Sequence, residues 1–415
     1  MKKLIAILVA MLMVLSLCGT AFADKEDVTV TLVRTGTPEV LHNIFEPLIA
    51  AFEEEHPNIK IDMQDLGWND ASQSIQTWAS SDSLPDVMYH LPGTIFNLAT
   101  MDKILDLTPY LDEELKNDMF SSMLEAGQYD GKQYMIICSA SSVLLWYNAD
   151  LFEKAGLDPD LPPTTWSEML EACEALSKID GIRPLAMYSS PNGGETSFLF
   201  ESLFTTEYGA SAWNPETNSY VYDSEEGKEA AINTLQFLKD LTAYAQDNYV
   251  EYGRFDCRTL LANGDVAMAL DLINMANQVP DQLADGRIRC ALLPAGASGI
   301  QSTAINCGGW FIPTNCEHPD EAWEVLRYMM NTENQLKHAK YGSVPILKSE
   351  AATYTDGYMA TVAASLEHSY AEGICPDTNA LWEVNGEELQ LLLMGDQTAE
   401  ETWENISAGH ADILG

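Results

Sequence analysis

The chain has 415 residues and a formal net charge of −42, from 63 Asp and Glu against 21 Lys and Arg. No basic run or stripe interrupts that surplus, so nucleic acid and anionic lipid surfaces would repel it and neither is an expected partner. At 46% hydrophobic and 9% aromatic residues the chain is globular, and its length exceeds one compact core, which sets two domains as the expectation.

Residues 1–23 read as an export signal, with Lys2 and Lys3 ahead of the apolar run Leu4–Leu17 and small residues after it. That run falls short of the roughly 20 apolar residues of a membrane span. Two processing sites compete. Ala21-Phe22-Ala23 meets the ordinary A-x-A rule, whereas Leu15-Ser16-Leu17-Cys18-Gly19 offers Cys18 as a lipidated terminus. Leu17 stands where the lipoprotein peptidase takes a small residue, so cleavage after Ala23 is expected. Either way the protein is exported to the cell envelope: the periplasm, or the cell surface if Cys18 is lipidated. Seven of the 8 cysteines remain, an odd number without C-x-x-C, of which Cys307 and Cys316 are near enough in sequence to consider as a bridge.

Val28–Val33 alternates as a strand. Ile44, Leu48 and Phe52 then recur at helical spacing up to His56-Pro57-Asn58, and Ile59, Ile61 and Met63 alternate again. Strand, helix, strand is a βαβ unit and implies a parallel sheet covered by helices. Leu84–Tyr89 gives a third short strand. After the Asp130-Gly131 turn, Lys132–Asn148 is a long extended stretch. Thr165 and Glu168 form a capping box for a helix whose inner face is Trp166, Met169, Cys173 and Leu176. Further helices follow Asp223-Ser224, Pro319 and the Thr398–Glu401 box.

Catalytic signatures are missing. There is no phosphate-binding G-x-x-x-x-G-K-[ST], no G-x-G-x-x-G after a strand and no G-x-S-x-G; Gly296-Ala-Ser-Gly299 has the wrong spacing. The 7 histidines are scattered, without H-E-x-x-H, so no metal site and no cofactor is expected. With 63 acidic residues, carboxylate pairs arise by chance, so a glycosidase pair is an open but weakly supported alternative.

Several stretches together resemble the family 1 extracellular solute-binding proteins of ABC importers, the type that includes maltose-binding proteins. These are Phe52–Ile61, Leu84-Pro-Asp-Val87, Ile104–Leu111, Asp130–Trp166, Leu261–Met268, Gly308-Gly309-Trp310 and Gly395–Glu401, in order along nearly the whole mature chain. The resemblance implies an α/β, two-lobed periplasmic-binding-protein-like fold of class II type, with a hinge and an interlobe ligand cleft. It implies lobes of residues 27–137 plus 308–344 and 138–307 plus 345–415, joined by crossing strands around Ile136–Ser141 and Ala304–Gly308. It further implies a non-enzymatic role: capture of a carbohydrate, an oligosaccharide foremost, for ABC permease transmembrane subunits, by a monomer. The same scaffold could instead take a polyamine, a peptide or a metal.

Sugars stack on aromatic rings and pair their hydroxyls with polar groups, so a cleft needs both. Trp166, Trp323, Trp403 and Trp146 read as core, and Trp78 and Trp213 stay undecided. Trp68 follows the second strand on a loop at its carboxyl end, where ligands of open α/β sheets bind. Trp310 follows the Gly-Gly crossing, and Trp382 keeps the spacing to Gln397 that maltose-binding proteins show for a stacking tryptophan. Thr37 and Glu39 end the first strand; Asp86, Tyr89 and His90 lie on or past the third, Asp86 with a structural role as its alternative. By resemblance Ser141 stands where a maltose binder has an acid, and Asn274 where it has a tryptophan, which argues against maltodextrin. A Gly-rich loop over Asn192–Phe198 supplies Thr196 and Phe198.

Overall fold

The structure, a computed structural model, describes residues 26–36, 41–189, 193–214, 216–217, 219–339, 342–375 and 377–415. The candidate export signal, Cys18, Thr37, Glu39 and Asn192 lie outside the described residues.

The first three strands are Val28–Thr35 (β1), Ile59–Leu66 (β2) and Val87–His90 (β3). β1 runs parallel to β2, from Val28 opposite Ile59 to Thr35 opposite Leu66, and parallel to β3 from Leu32 opposite Val87. Between β1 and β2 the helix α1 (Glu46–Glu55) turns Leu48 and Phe52 inward and stops at His56, as the βαβ pattern and the following proline require. α2 (Trp68–Ser80) and α3 (Pro92–Thr100) flank β3 in sequence. Asp86 fastens the start of β3 to β1: its Oδ2 accepts from Thr31 N at 2.8 Å and Thr31 Oγ1 at 2.7 Å.

The other strands of the main sheet are Ile136–Asn148 (β4), Arg183–Ala186 (β5), Val266–Leu272 (β6), Ile288–Ala291 (β7), Thr303–Phe311 (β8) and Ser369–Ala371 (β9). They complete a 9-stranded sheet ordered β2-β1-β3-β8-β4-β6-β5, with β7 also on β4 and β9 also on β8. β4 changes partners along its length. Ile136–Ser142 is antiparallel to β8, whereas Val143–Tyr147 pairs with β6 and Leu145–Asn148 with β7. β8 does the same: Gly309–Phe311 pairs with β3, Ile305–Trp310 with β4, and Thr303–Ile305 with β9. These two strands are therefore shared by two lobes. The register shifts between Gly308 and Gly309, a bulge at the crossing.

Helices cover both halves. α4 (Trp166–Leu176) packs on β5 and α7 (Arg254–Asn263) on β5 and β6, α5 (Gly193–Tyr208) packs on β8 and on α6 (Glu225–Leu241), and α8 (Pro319–Met329) packs on α1 and β1. The chain closes with α9 (Thr378–Met394) against α5 and α10 (Ala399–Leu414) against α6 and α9. Lys348–Ala351 returns to the helix Glu113–Asp118, where Ser349 N donates to Asp118 Oδ1 at 2.8 Å. Both expected capping boxes form, Thr165 with Glu168 and Thr398 with Glu401.

Two local expectations are corrected. The stretch read as a Gly-rich loop is helical from Gly193, because the glycines fall in the first turn, where a helix tolerates them, and the apolar residues behind them have packing partners in α9. The described cysteines are all free thiols, so Cys307 and Cys316 are not bridged. Trp146 is fully buried, and its Nε1 donates to Asp271 O at 3.0 Å.

A Cβ on Gly308 would collide with the buried Tyr89 ring. Gly308→Ala should therefore lower stability by about 1–3 kcal/mol, the usual cost of overpacking, measured as a fall in the urea midpoint at unchanged m-value.

Candidate functional site

Of the residues on β4, all are buried except Ser139 and Ser141, which are half-buried. On β8 the half-buried position is Asn306. Asn306 opposes Ser141 and Gly308 opposes Ser139, so these side chains leave one face of the sheet where both strands pass between lobes. The result is a short polar strip on otherwise apolar strands. Ser141 Oγ is buried without a hydrogen-bond partner. Asn306 Nδ2 donates to Glu372 Oε2 at 2.8 Å, just past β9.

On one flank of the strip stands a charged cluster. Arg258 grips Asp271 with two parallel bonds of 2.8 Å, and its Nη2 also donates to Asn274 Oδ1 at 2.6 Å. Asp271 and Arg258 are both almost fully buried. Burial pushes the Asp271 carboxyl above its ordinary range, and the hydrogen bonds and charge of Arg258, with Arg254 behind them, hold it back. Arg254 lies over the Tyr188 ring at 5.5 Å, and its Nη2 donates to Glu195 O at 3.4 Å. Because the guanidinium fixes Asn274 Oδ1, the amide Nδ2 is left as the free donor. The Gly342–Val344 segment approaches this flank from the first lobe. Val344 N donates to Ala140 O at 2.9 Å, and a Cβ on Gly342 would lie 3.3 Å from Asn274 Cβ.

On the other flank α3 meets the start of α9, where a Cβ on Gly93 would lie 3.8 Å from Thr378 Cβ. Trp382, on α9, lies against Gly194, where a Cβ would be 3.1 Å from its Cε3. Trp382 Nε1 and Thr196 Oγ1 are buried without partners. A cavity of about 710 Å³ is lined by Phe96, Glu125 and Tyr129 together with Trp213 and Glu372. Phe96 and Tyr129 stack at 5.4 Å.

The residues expected at the site are dispersed among these places. Ser141 lies on the strip, Asn274 on the charged flank, Trp382 and Thr196 on the opposite flank. His90 is 4% exposed at the end of β3, and burial pushes its imidazole down to about 4, so it is neutral at physiological pH. Trp310 sits in the first lobe's interior, edge-on to Phe45 at 5.6 Å and to Tyr89 at 5.5 Å. The Arg34 guanidinium lies over Tyr89 at 4.7 Å and Phe45 at 5.0 Å. Burial pushes the Tyr89 hydroxyl up to about 12. Phe198 is 2% exposed within α5, and Trp68 is the first residue of α2, after a loop ending at Gly67, and not a loop residue. Asp86 spends its carboxylate on Thr31.

Sequence reasoning did not single out Arg254, Arg258, Asp271, Asn306, Glu201 or Glu372. One signal was present: two arginines one helical turn apart, with Cys257 and Leu261 on the same inward face, in a chain poor in basic residues. Among the described residues no group of His, Cys, Asp and Glu could hold a metal ion, and no helix is long and apolar enough to cross a membrane.

Removing one member of the buried pair leaves the other charge uncompensated. Asp271→Asn should cost about 3–5 kcal/mol in urea unfolding, and pairing it with Arg258→Met should recover much of that loss.

Comparison with known proteins identifies the scaffold as a shared one. The family described as bacterial extracellular solute-binding protein matches residues 39–336. A putative binding protein of Brucella abortus (strain 2308) is 25% identical over 417 residues, covering 100% of this chain and 99% of its own. The sn-glycerol-3-phosphate-binding periplasmic protein UgpB of Brucella abortus (strain 2308) is 31% identical over 315 residues, 68% of each chain. Among solved structures, the cyclic α-maltosyl-1,6-maltose binding protein from Arthrobacter globiformis superposes with a TM-score of 0.81 at 19% identity, covering 93% of this chain and 98% of its own. The sugar-binding protein MalE from Xanthomonas citri superposes with a TM-score of 0.80 at 20% identity, covering 93% and 97%.

Proposed function

The chain belongs to the bacterial extracellular solute-binding protein family, and from that premise we propose that it is the extracytoplasmic capture subunit of an ABC importer for a carbohydrate. A monomer closes its lobes on the sugar and presents the closed form to a membrane permease. In this reading the lobes are residues 27–137 with 308–344 and residues 138–307 with 345–415, the Ser349–Asp118 bond tying one to the other. β4 and β8 act as the hinge between them.

The observation that carries this reading is the polar strip of Ser139, Ser141 and Asn306 on the crossing strands, with partnerless polar atoms at Ser141 within it and at Thr196 and Trp382 beside it. Buried polar atoms without partners are costly unless a ligand or water completes them. A sugar supplies many hydroxyls and an apolar face for Trp382. Neighbouring folds that take maltosyl and other sugars support the substrate class. Asn274 and Trp382 are contacts in this reading, and His90, at the end of β3, borders the same cleft.

A second reading, a phosphorylated polyol, has its own support. Arg34 is 7% exposed at the end of β1, pairs with no carboxylate among the described residues, and has a partnerless Nε; UgpB, by its name, binds sn-glycerol 3-phosphate.

Calorimetry with maltose, mannotriose, tagatose and sn-glycerol 3-phosphate separates the readings. The carbohydrate reading expects a neutral sugar to bind without turnover, an affinity that is flat with salt, and a loss of about ten-fold in Asn274→Ala. Binding of glycerol phosphate that weakens steeply with salt selects the second reading, and consumption of a sugar overturns both.

A further inference from the structure

Glu201 on α5 and Glu372 beyond β9 are respectively 1% and 3% exposed. Gly373 N donates to Glu201 Oε1 at 2.7 Å, and Asn306 Nδ2 donates to Glu372 Oε2 at 2.8 Å. The second oxygen of each, Glu201 Oε2 and Glu372 Oε1, is buried without a partner. Neither carboxyl forms a salt bridge among the described residues. Glu372 also lines the cavity of about 710 Å³ beside Trp213. Two dry carboxyls side by side cannot both ionise cheaply, and a carboxyl that keeps its proton is a hydrogen-bond donor.

We propose that Glu372, backed by Glu201, is a proton-bearing specificity contact at the floor of the interlobe cavity, selecting an uncharged polyol and rejecting anionic ligands. This rests on the carbohydrate reading and sharpens it. The protonated carboxyl donates to a ligand hydroxyl oxygen, and its other oxygen stays on Asn306, so the contact reports to the strand shared by both lobes.

The surroundings agree. Burial drives both carboxyls upward, Glu372 to about 8, and the charge of Glu372 raises Glu201 further. Asn306 and the Arg254 charge oppose the rise at Glu372, and the Gly373 amide opposes it at Glu201. The other ionisable groups facing the pair are Tyr220, Tyr222 and Cys307, all held neutral by burial. The cavity lining also carries Glu125, itself pushed up by burial, Asp130 and Glu216, and among the described residues it carries no cation.

The sign follows. A carboxyl raised in the folded state contributes stability that is full below its unfolded value and is lost as pH rises through the folded one, here about 8. Melting of the ligand-free protein and of Glu372→Gln should therefore coincide near about pH 5 and separate towards about pH 9, the variant melting higher. Coincident profiles throughout overturn the retained proton. Maltose, mannotriose and sn-glycerol 3-phosphate are then titrated at about pH 7 and 9. A neutral sugar should bind the native protein about ten-fold more weakly at the higher pH, and the loss should vanish in Glu372→Gln. A pH-independent sugar affinity, or a preference for glycerol phosphate, overturns the specificity contact. If no sugar binds at all, the carbohydrate reading fails and the contact with it, while separated melting profiles would still identify the retained proton.

Discussion

Ile136–Ser142 on β4 and Ile305–Trp310 on β8 are held by one antiparallel ladder, and the remainder of the molecule hangs from it. Each strand leaves that ladder to join different neighbours: β4 goes on to β6 and β7, β8 to β3 and β9. A buried backbone must satisfy its amides and carbonyls, so strands passing between two lobes have to stay paired along the whole crossing. The ladder does this, and it explains why the joints are ordered strands without Gly/Ser linkers. It also narrows what the crossing can display. Only small side chains fit beneath Tyr89, which accounts for Gly308, and only Ser139, Ser141 and Asn306 reach the cleft face.

The polar groups around this ladder divide by how fully they are satisfied. Arg258, Asp271 and Asn274 form a closed network whose charges are spent on each other, which sets the geometry of Asn274 without offering a free cation. Glu201 and Glu372 each have one bonded and one unbonded oxygen. A protein with so large an acidic surplus would ordinarily keep such groups at the surface, where they cost little. Retaining them beside the crossing strands is expensive, and a ligand that accepts their hydrogen bond makes the expense intelligible. The negative surface and the cavity chemistry are thus separate matters, one a property of composition and the other of a few buried atoms.

Much of the fold was legible because its signals are local. The βαβ start follows from alternation, helical spacing and Pro57; both capping boxes follow from a Thr and a Glu three residues apart; the family followed from motifs kept in order. The site was less legible because it is made by long-range register. Asn306 matters only because it opposes Ser141, and Glu372 only because β9 joins β8 next to Asn306. Placement also decided aromatic roles that residue type could not. Trp310 alternates onto the face covered by Phe45, while Trp213, left undecided by sequence, walls the cavity. At Gly193 the local propensity of glycine misled, since tertiary packing of α5 against α9 outweighs it.

The most direct test is a crystal structure of the protein saturated with a bound oligosaccharide. The account predicts ligand density between the lobes, in contact with Ser141 and Glu372 and stacked on Trp382, with Asn306 still bonded to Glu372. A sugar seated elsewhere, or a cleft whose closure leaves the β4–β8 crossing out of contact with it, would contradict the account.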